Sequence, residues 1–172
     1  MTKNKNQNQK AFTLIETIIY VVIFTTIVLA MVSFGSSIAS SRMHNQMALE
    51  VNDQGSKVMK VISDAIQNAS SINSPTISNS ASNLSVATLS SLTNPTNFTV
   101  SNGILYITEG TNAPVALTNN KVVVSNLTFS NFSRPNTPDI IKISFNLKSN
   151  VPDTNRAGSY SFTFNGSTSL RK

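Results

Sequence analysis

From Phe12 to Phe34 the chain runs 23 residues with a single side chain charged at neutral pH, Glu16. As a helix this segment would be about 34 Å long at roughly 1.5 Å per residue, enough to cross the ~30 Å hydrocarbon core of a bilayer. Such a run must either be buried by a larger fold or sit in lipid. Residues 1–11 ahead of it are polar and basic, with Lys3, Lys5 and Lys10 and no acid. By the positive-inside rule that flank predicts a cytoplasmic N-terminus, with everything after Phe34 on the outer side.

Three kinds of segment fit this outline. A secretory signal peptide has an apolar core of only about 7–15 residues before a small-residue cleavage site, so this run is too long, although Ala30 and Ala39 supply small residues. A plain signal anchor accounts for length and orientation but leaves Glu16 unexplained. A carboxylate in a membrane helix costs roughly 2.5–3.5 kcal/mol even on lenient insertion scales, which marks it as a functional residue.

The third kind explains the acid. Lys10-Ala11-Phe12-Thr13-Leu14-Ile15-Glu16 resembles the processing site of type IV prepilins and type II secretion pseudopilins. The resemblance implies that a prepilin peptidase cuts between Ala11 and Phe12 and N-methylates Phe12, making Glu16 the fifth residue of the mature chain. It also implies a role for Glu16. In a filament core of low dielectric, its carboxylate would neutralise the Phe12 amine of a neighbouring subunit or of its own chain and set axial register. Two residues depart from the family pattern. Ala11 stands where glycine is usual before the cut, and the helix lacks the proline that major pilins often carry.

Beyond Phe34, Gly35-Ser36-Ser37 reads as a soft join. Apolar residues then recur at Ile38, Met43, Met47, Val51, Val58, Ile62, Ala65, Ile66 and Ala69. Spacings of three, four and seven place them on one face of an amphipathic helix. Gly55 would loosen that helix by about 1 kcal/mol relative to Ala, and Ser74-Pro75 closes the pattern. From Asn83 the period shortens. Strands are predicted at 84–89, 97–100, 104–108, 115–117, 122–129, 140–147 and 160–164. Asn102-Gly103 reads as a type I′ hairpin turn, with Phe98 and Val100 opposite Leu105 or Ile107. Residues 70–82 and 149–159 read as loops.

The expected architecture is therefore α+β and pilin-like: a long N-terminal helix, its first half transmembrane, packed on an antiparallel β-sheet head. The organisation is a leader at 1–11, a transmembrane and filament-core helix at 12–34, its amphipathic continuation at 35–72, and a β-rich head at 73–172. Residues 51–72, together with Tyr20-Val21-Val22-Ile23-Phe24, resemble minor pseudopilins of the J type. The resemblance implies a non-enzymatic structural subunit, a minor pilin or a pseudopilin of a secretion or DNA-uptake system. Its implied partners are other pilin subunits, the prepilin peptidase, the pilus assembly platform and the cytoplasmic membrane. The chain would pass from that membrane to an extracellular filament.

Composition bears on the other functions. With no cysteine there is neither a disulfide nor thiolate chemistry. Charged residues make up 12%, about half the usual share, so hydroxyl and amide groups must cover the surface. Half of the net charge of +6 is Lys3, Lys5 and Lys10, and the remainder is scattered, so charge alone makes no case for nucleic acid. His44, the single histidine, has no Ser/Asp arrangement around it and reads as a surface residue. Neither a zinc cluster nor a phosphate-binding glycine loop is present in the sequence, and no cofactor or metal is expected. Glu109, Asp139 and Asp153 are too isolated for a calcium loop. Sequons at Asn97, Asn126 and Asn131 fit chance in so Asn-rich a chain. A receptor head for DNA or glycan would draw on Arg134, beside Phe129 and Phe132, or on Lys142, although core and turn packing explains those aromatics better.

Overall fold

The computed structural model describes residues 13–135, 137–152 and 158–171. One helix, α1 (Leu14–Gln67), precedes nine strands: β1 (Ser71–Ser74), β2 (Ser80–Ala81), β3 (Leu84–Ala87), β4 (Thr96–Ser101), β5 (Ile104–Glu109), β6 (Val115–Ala116), β7 (Val122–Asn131), β8 (Ile140–Ser149) and β9 (Ser161–Ser169). The chain divides into an N-terminal unit ending at Ser41 and a head unit beginning at Arg42.

In the N-terminal unit α1 has no interruption at Gly35-Ser36-Ser37, where a soft join was expected. The hydroxyls there are turned back onto the helix: Ser36 donates to the Ser33 carbonyl at 2.8 Å, and Ser40 and Ser41 to Ser36 and Ser37 at 3.0 Å each. Thr17, Thr25 and Thr26 do the same within the apolar run. Back-bonding gives each hydroxyl a partner where lipid offers none, so these residues do not break the helix. Every large apolar side chain from Leu14 to Phe34 is exposed. None of the most apolar 18-residue stretch of α1 is buried among the described residues, and it is long and apolar enough to cross a membrane.

In the head, Val51, Gly55, Val58, Ile62 and Ile66 form the buried stripe of α1. The helix ends at Gln67, ahead of the Ser74-Pro75 stop read from the sequence. The Asn68 side-chain amide caps the Asp64 carbonyl at 2.8 Å, and the Arg171 backbone N–H donates to the Gln67 carbonyl at 3.2 Å. The chain then enters a strand, so residues 70–82, read as a loop, carry β1 and β2.

Two antiparallel sheets form, in the orders β1-β3-β4-β5-β6 and β2-β7-β8-β9. All seven expected strands are present. The β4–β5 hairpin has the predicted turn, with Asn102 at φ 51° and Gly103 at φ 75°, and Phe98 pairs with Ile107 and Val100 with Leu105. Alternation on β8 buries Ile141, Ile143, Phe145 and Leu147 and exposes Lys142 and Lys148. On β7 the buried set slips by one residue, from Val122 and Val124 to Leu127, Phe129 and Asn131. A bulge between Ser125 and Thr128, with Asn126 at φ 54°, absorbs the extra residue.

Gly55 is not a weak point of the helix. A Cβ there would lie 2.0 Å from Cζ of Phe164, whose ring stacks on Phe145 at 5.2 Å and meets Phe162 edge-on at 4.9 Å. The missing side chain is what lets α1 approach β9.

One polar cluster ties α1 to the loop before β7. Glu50 accepts from Asn119 Nδ2 at 2.7 Å, Gln54 Nε2 at 3.2 Å and Lys121 Nζ at 3.5 Å. The Asn119 bond chiefly, then the Lys121 charge, hold the Glu50 carboxyl below its ordinary value of 4.5, against the opposing pull of burial. A folded-state value below the unfolded one contributes stability that is fully present above about pH 4.5 and is lost as pH falls through the depressed value. Lys121 is 61% exposed, so the contribution is under about 1 kcal/mol. Unfolding curves of the wild type and Glu50→Gln are expected to differ at pH 7 and to converge below pH 4.5. A gap that stays constant down to pH 3 would contradict this assignment.

Candidate functional site

Helix α1 opens at Thr13. Its carbonyl receives the N–H of Glu16 at 3.1 Å and of Thr17 at 3.3 Å, and its hydroxyl receives the Glu16 N–H at 3.3 Å. Thr13 is thus the N-cap and Glu16 the third residue of the helix, the spacing at which a Ser/Thr cap and an acid satisfy a helix start. The carboxylate stands in the first turn, where the partial positive charge of the free N–H groups favours an anion.

One turn on, the Tyr20 hydroxyl donates to Glu16 Oε1 at 3.4 Å. Glu16 is half-buried among neighbours that are all exposed. Sequence reasoning passed over Tyr20 as a partner. The four-residue spacing that stacks one side chain over another on a helix was the available signal. The expected processing residues Ala11 and Phe12 lie outside the described residues.

The remaining candidates are dispersed. His44 is exposed and meets Tyr160 edge-on at 5.6 Å. Phe129 is fully buried in the core while Phe132 is 61% exposed, so the two aromatics form no joint platform beside Arg134. Arg134 lies in the β7–β8 connection, its N–H bonded to Thr137 Oγ1, and Lys142 projects from β8. The Asn131 amide is buried and donates to the Pro75 carbonyl at 2.9 Å, a structural use that removes it as a sugar-acceptor site. Asp153 lies outside the described residues. Among the described residues no three His, Cys, Asp or Glu side chains gather to hold a metal.

Comparisons with curated proteins and with solved structures each return no match. Residues 6–32 match the family model described as the prokaryotic N-terminal methylation motif. That stretch takes in the Ala11-Phe12 bond, the Thr13 cap, Glu16, Tyr20 and most of the exposed apolar run. The chain therefore carries the signature of type IV prepilins and pseudopilins, on a helix whose bare apolar surface suits membrane anchoring before assembly.

Proposed function

We propose that the protein is a minor pilin or pseudopilin, a structural subunit held in the cytoplasmic membrane with its N-terminus inside. A prepilin peptidase cuts it between Ala11 and Phe12 and methylates the Phe12 amine. The assembly platform then draws the mature chain into a filament with other pilin subunits, and the head is displayed on the filament surface or tip. One observation carries this reading: the methylation motif at residues 6–32 encloses Glu16, the sole charged side chain of the 12–34 run. Glu16, capped by Thr13 and approached by Tyr20, is the group that would neutralise the Phe12 amine of a neighbour.

Mass spectrometry of the N-terminal peptide, from both membrane and sheared-surface fractions of the native organism, tests it. The expected species in both is a chain starting at N-methylated Phe12. A chain starting at Met1 in sheared material, or one cut well beyond Phe34, would reduce the protein to a simple anchored or secreted one.

A further inference from the structure

The chain crosses from the second sheet to the first at Ser82-Asn83, between β2 and β3. Opposite this crossing, β7 bulges away at Ser125–Thr128. Between them the seam of the two sheets opens into a cleft of about 430 Å³, lined by Ser82, Asn83, Thr99, Val100, Ser125, Asn126 and Leu127. That volume lies within the range of about 300–1,000 Å³ typical of small-molecule sites.

Buried Leu127 and half-buried Val100 make an apolar floor, and five hydroxyl or amide side chains make the rim. Those of Ser82, Asn83, Thr99 and Asn126 have no hydrogen-bond partner among the described residues. Ser125 makes only a 3.5 Å contact with Asn146 Oδ1. The bulge, with Asn126 at φ 54°, is what turns the last of these amides onto the rim. Three separate chain segments thus bring together donors and acceptors that the fold itself does not use.

We infer that this cleft binds a neutral saccharide. No ionisable side chain lines it, so it offers nothing to offset the desolvation of a phosphate, a carboxylate or an ammonium group. An extended peptide finds only a short free edge on the β4 wall, because β5 covers Thr96–Ser101 on one side and β3 covers Thr96–Phe98 on the other. A sugar ring has the complementary pattern: an apolar C–H face for Val100 and Leu127, and a girdle of hydroxyls that both donate and accept for the Ser, Thr and Asn rim. The site is separate from Arg134 and Lys142, the residues on which a charged-ligand reading would rest. It is also independent of processing at Phe12.

The test uses the full chain in a non-glycosidic detergent, with saturation-transfer NMR against maltose, lactose, cellobiose and chitobiose, and with 3′-sialyllactose as a charged comparison. At least one neutral disaccharide is expected to bind saturably. Asn126→Gly, which tolerates the positive φ, and Thr99→Ala are each expected to weaken it about tenfold. Their unfolding temperatures should match the wild type, and Lys142→Ala should bind normally. Retention by the bound disaccharide coupled to albumin, when the free sugar competes poorly, would assign the site to displayed glycans; efficient competition would assign it to diffusible ones. No saturable signal from any neutral probe up to roughly 10 mM, binding unaltered in both rim variants, or a preference for the sialylated sugar would each overturn the inference.

Discussion

Replacing Glu16 by alanine is expected to leave the chain in the membrane and processed at its N-terminus, but to remove it from filaments. The anchor is the apolar run, and losing a carboxylate makes insertion easier by roughly 2.5–3.5 kcal/mol. Assembly is different. If Glu16 neutralises a neighbour's Phe12 amine in a lipid-free but apolar filament core, its removal leaves that amine buried and unpaired. Such a loss costs about 3–5 kcal/mol, or roughly two to four orders of magnitude in the assembly equilibrium. Glu16→Gln keeps the volume and the Tyr20 contact in neutral form, so it separates charge from shape and should fail almost as badly. The readout is the ratio of sheared to membrane-bound protein by immunoblot, with N-terminal mass spectrometry confirming that cleavage persists. Incorporation of Glu16→Ala at the wild-type ratio would sink the charge-pairing role while leaving the processing assignment untouched.

The second large effect is expected at Gly55, and its sign opposes helix propensity. On an isolated helix Gly→Ala gains about 1 kcal/mol. In this head the new methyl would overlap three atoms of the Phe164 ring, at 2.0, 2.2 and 2.5 Å. The ring has little room to yield, since Phe145 stacks on it and Phe162 abuts it edge-on. Overpacking of this kind costs typically 1–3 kcal/mol, and contacts this short place it near the upper end. Gly55→Ala is therefore expected to destabilise the head by about 1–2 kcal/mol net. Phe164→Ala is expected to destabilise as well, through lost ring burial. The double variant should be more stable than the sum of the two predicts, because the methyl then occupies vacated space. Chemical unfolding of the full chain in detergent reads all three. A rise in stability for Gly55→Ala alone would show that α1 and β9 are not packed as closely as described.

Much of this protein was legible residue by residue, wherever the signal is local. The 12–34 run, its basic flank and its lone carboxylate needed only composition and spacing, and the comparison with family models found the methylation motif over that same stretch. The Asn102-Gly103 turn was legible because few residue pairs tolerate positive φ at both positions, and its pairing followed from strand alternation. Local rules also misled. Gly35-Ser36-Ser37 suggested a join, but the serine hydroxyls bond back to the helix and it continues. Ser/Asn-rich residues 70–82 suggested a loop, yet β1 and β2 form there because β3 and β7 present edges for them to pair with.

What tertiary structure alone decided concerns contacts between residues far apart in sequence. Propensity made Gly55 a flaw; the Phe164 ring, more than a hundred residues later in sequence, makes it a requirement. The sheets part between Ser82-Asn83 and Ser125–Leu127, and that cleft is invisible in a sequence where Ser and Asn are everywhere. The one-residue slip on β7, from Val124 to Leu127, was written in the chain, but what the bulge faces depends on where the β2–β3 crossing falls. The apolar run and the methylation motif are short runs of residue chemistry, so the sequence by itself determines them. A cleft or a close approach depends on which distant segments the core brings together, and only the folded chain decides that.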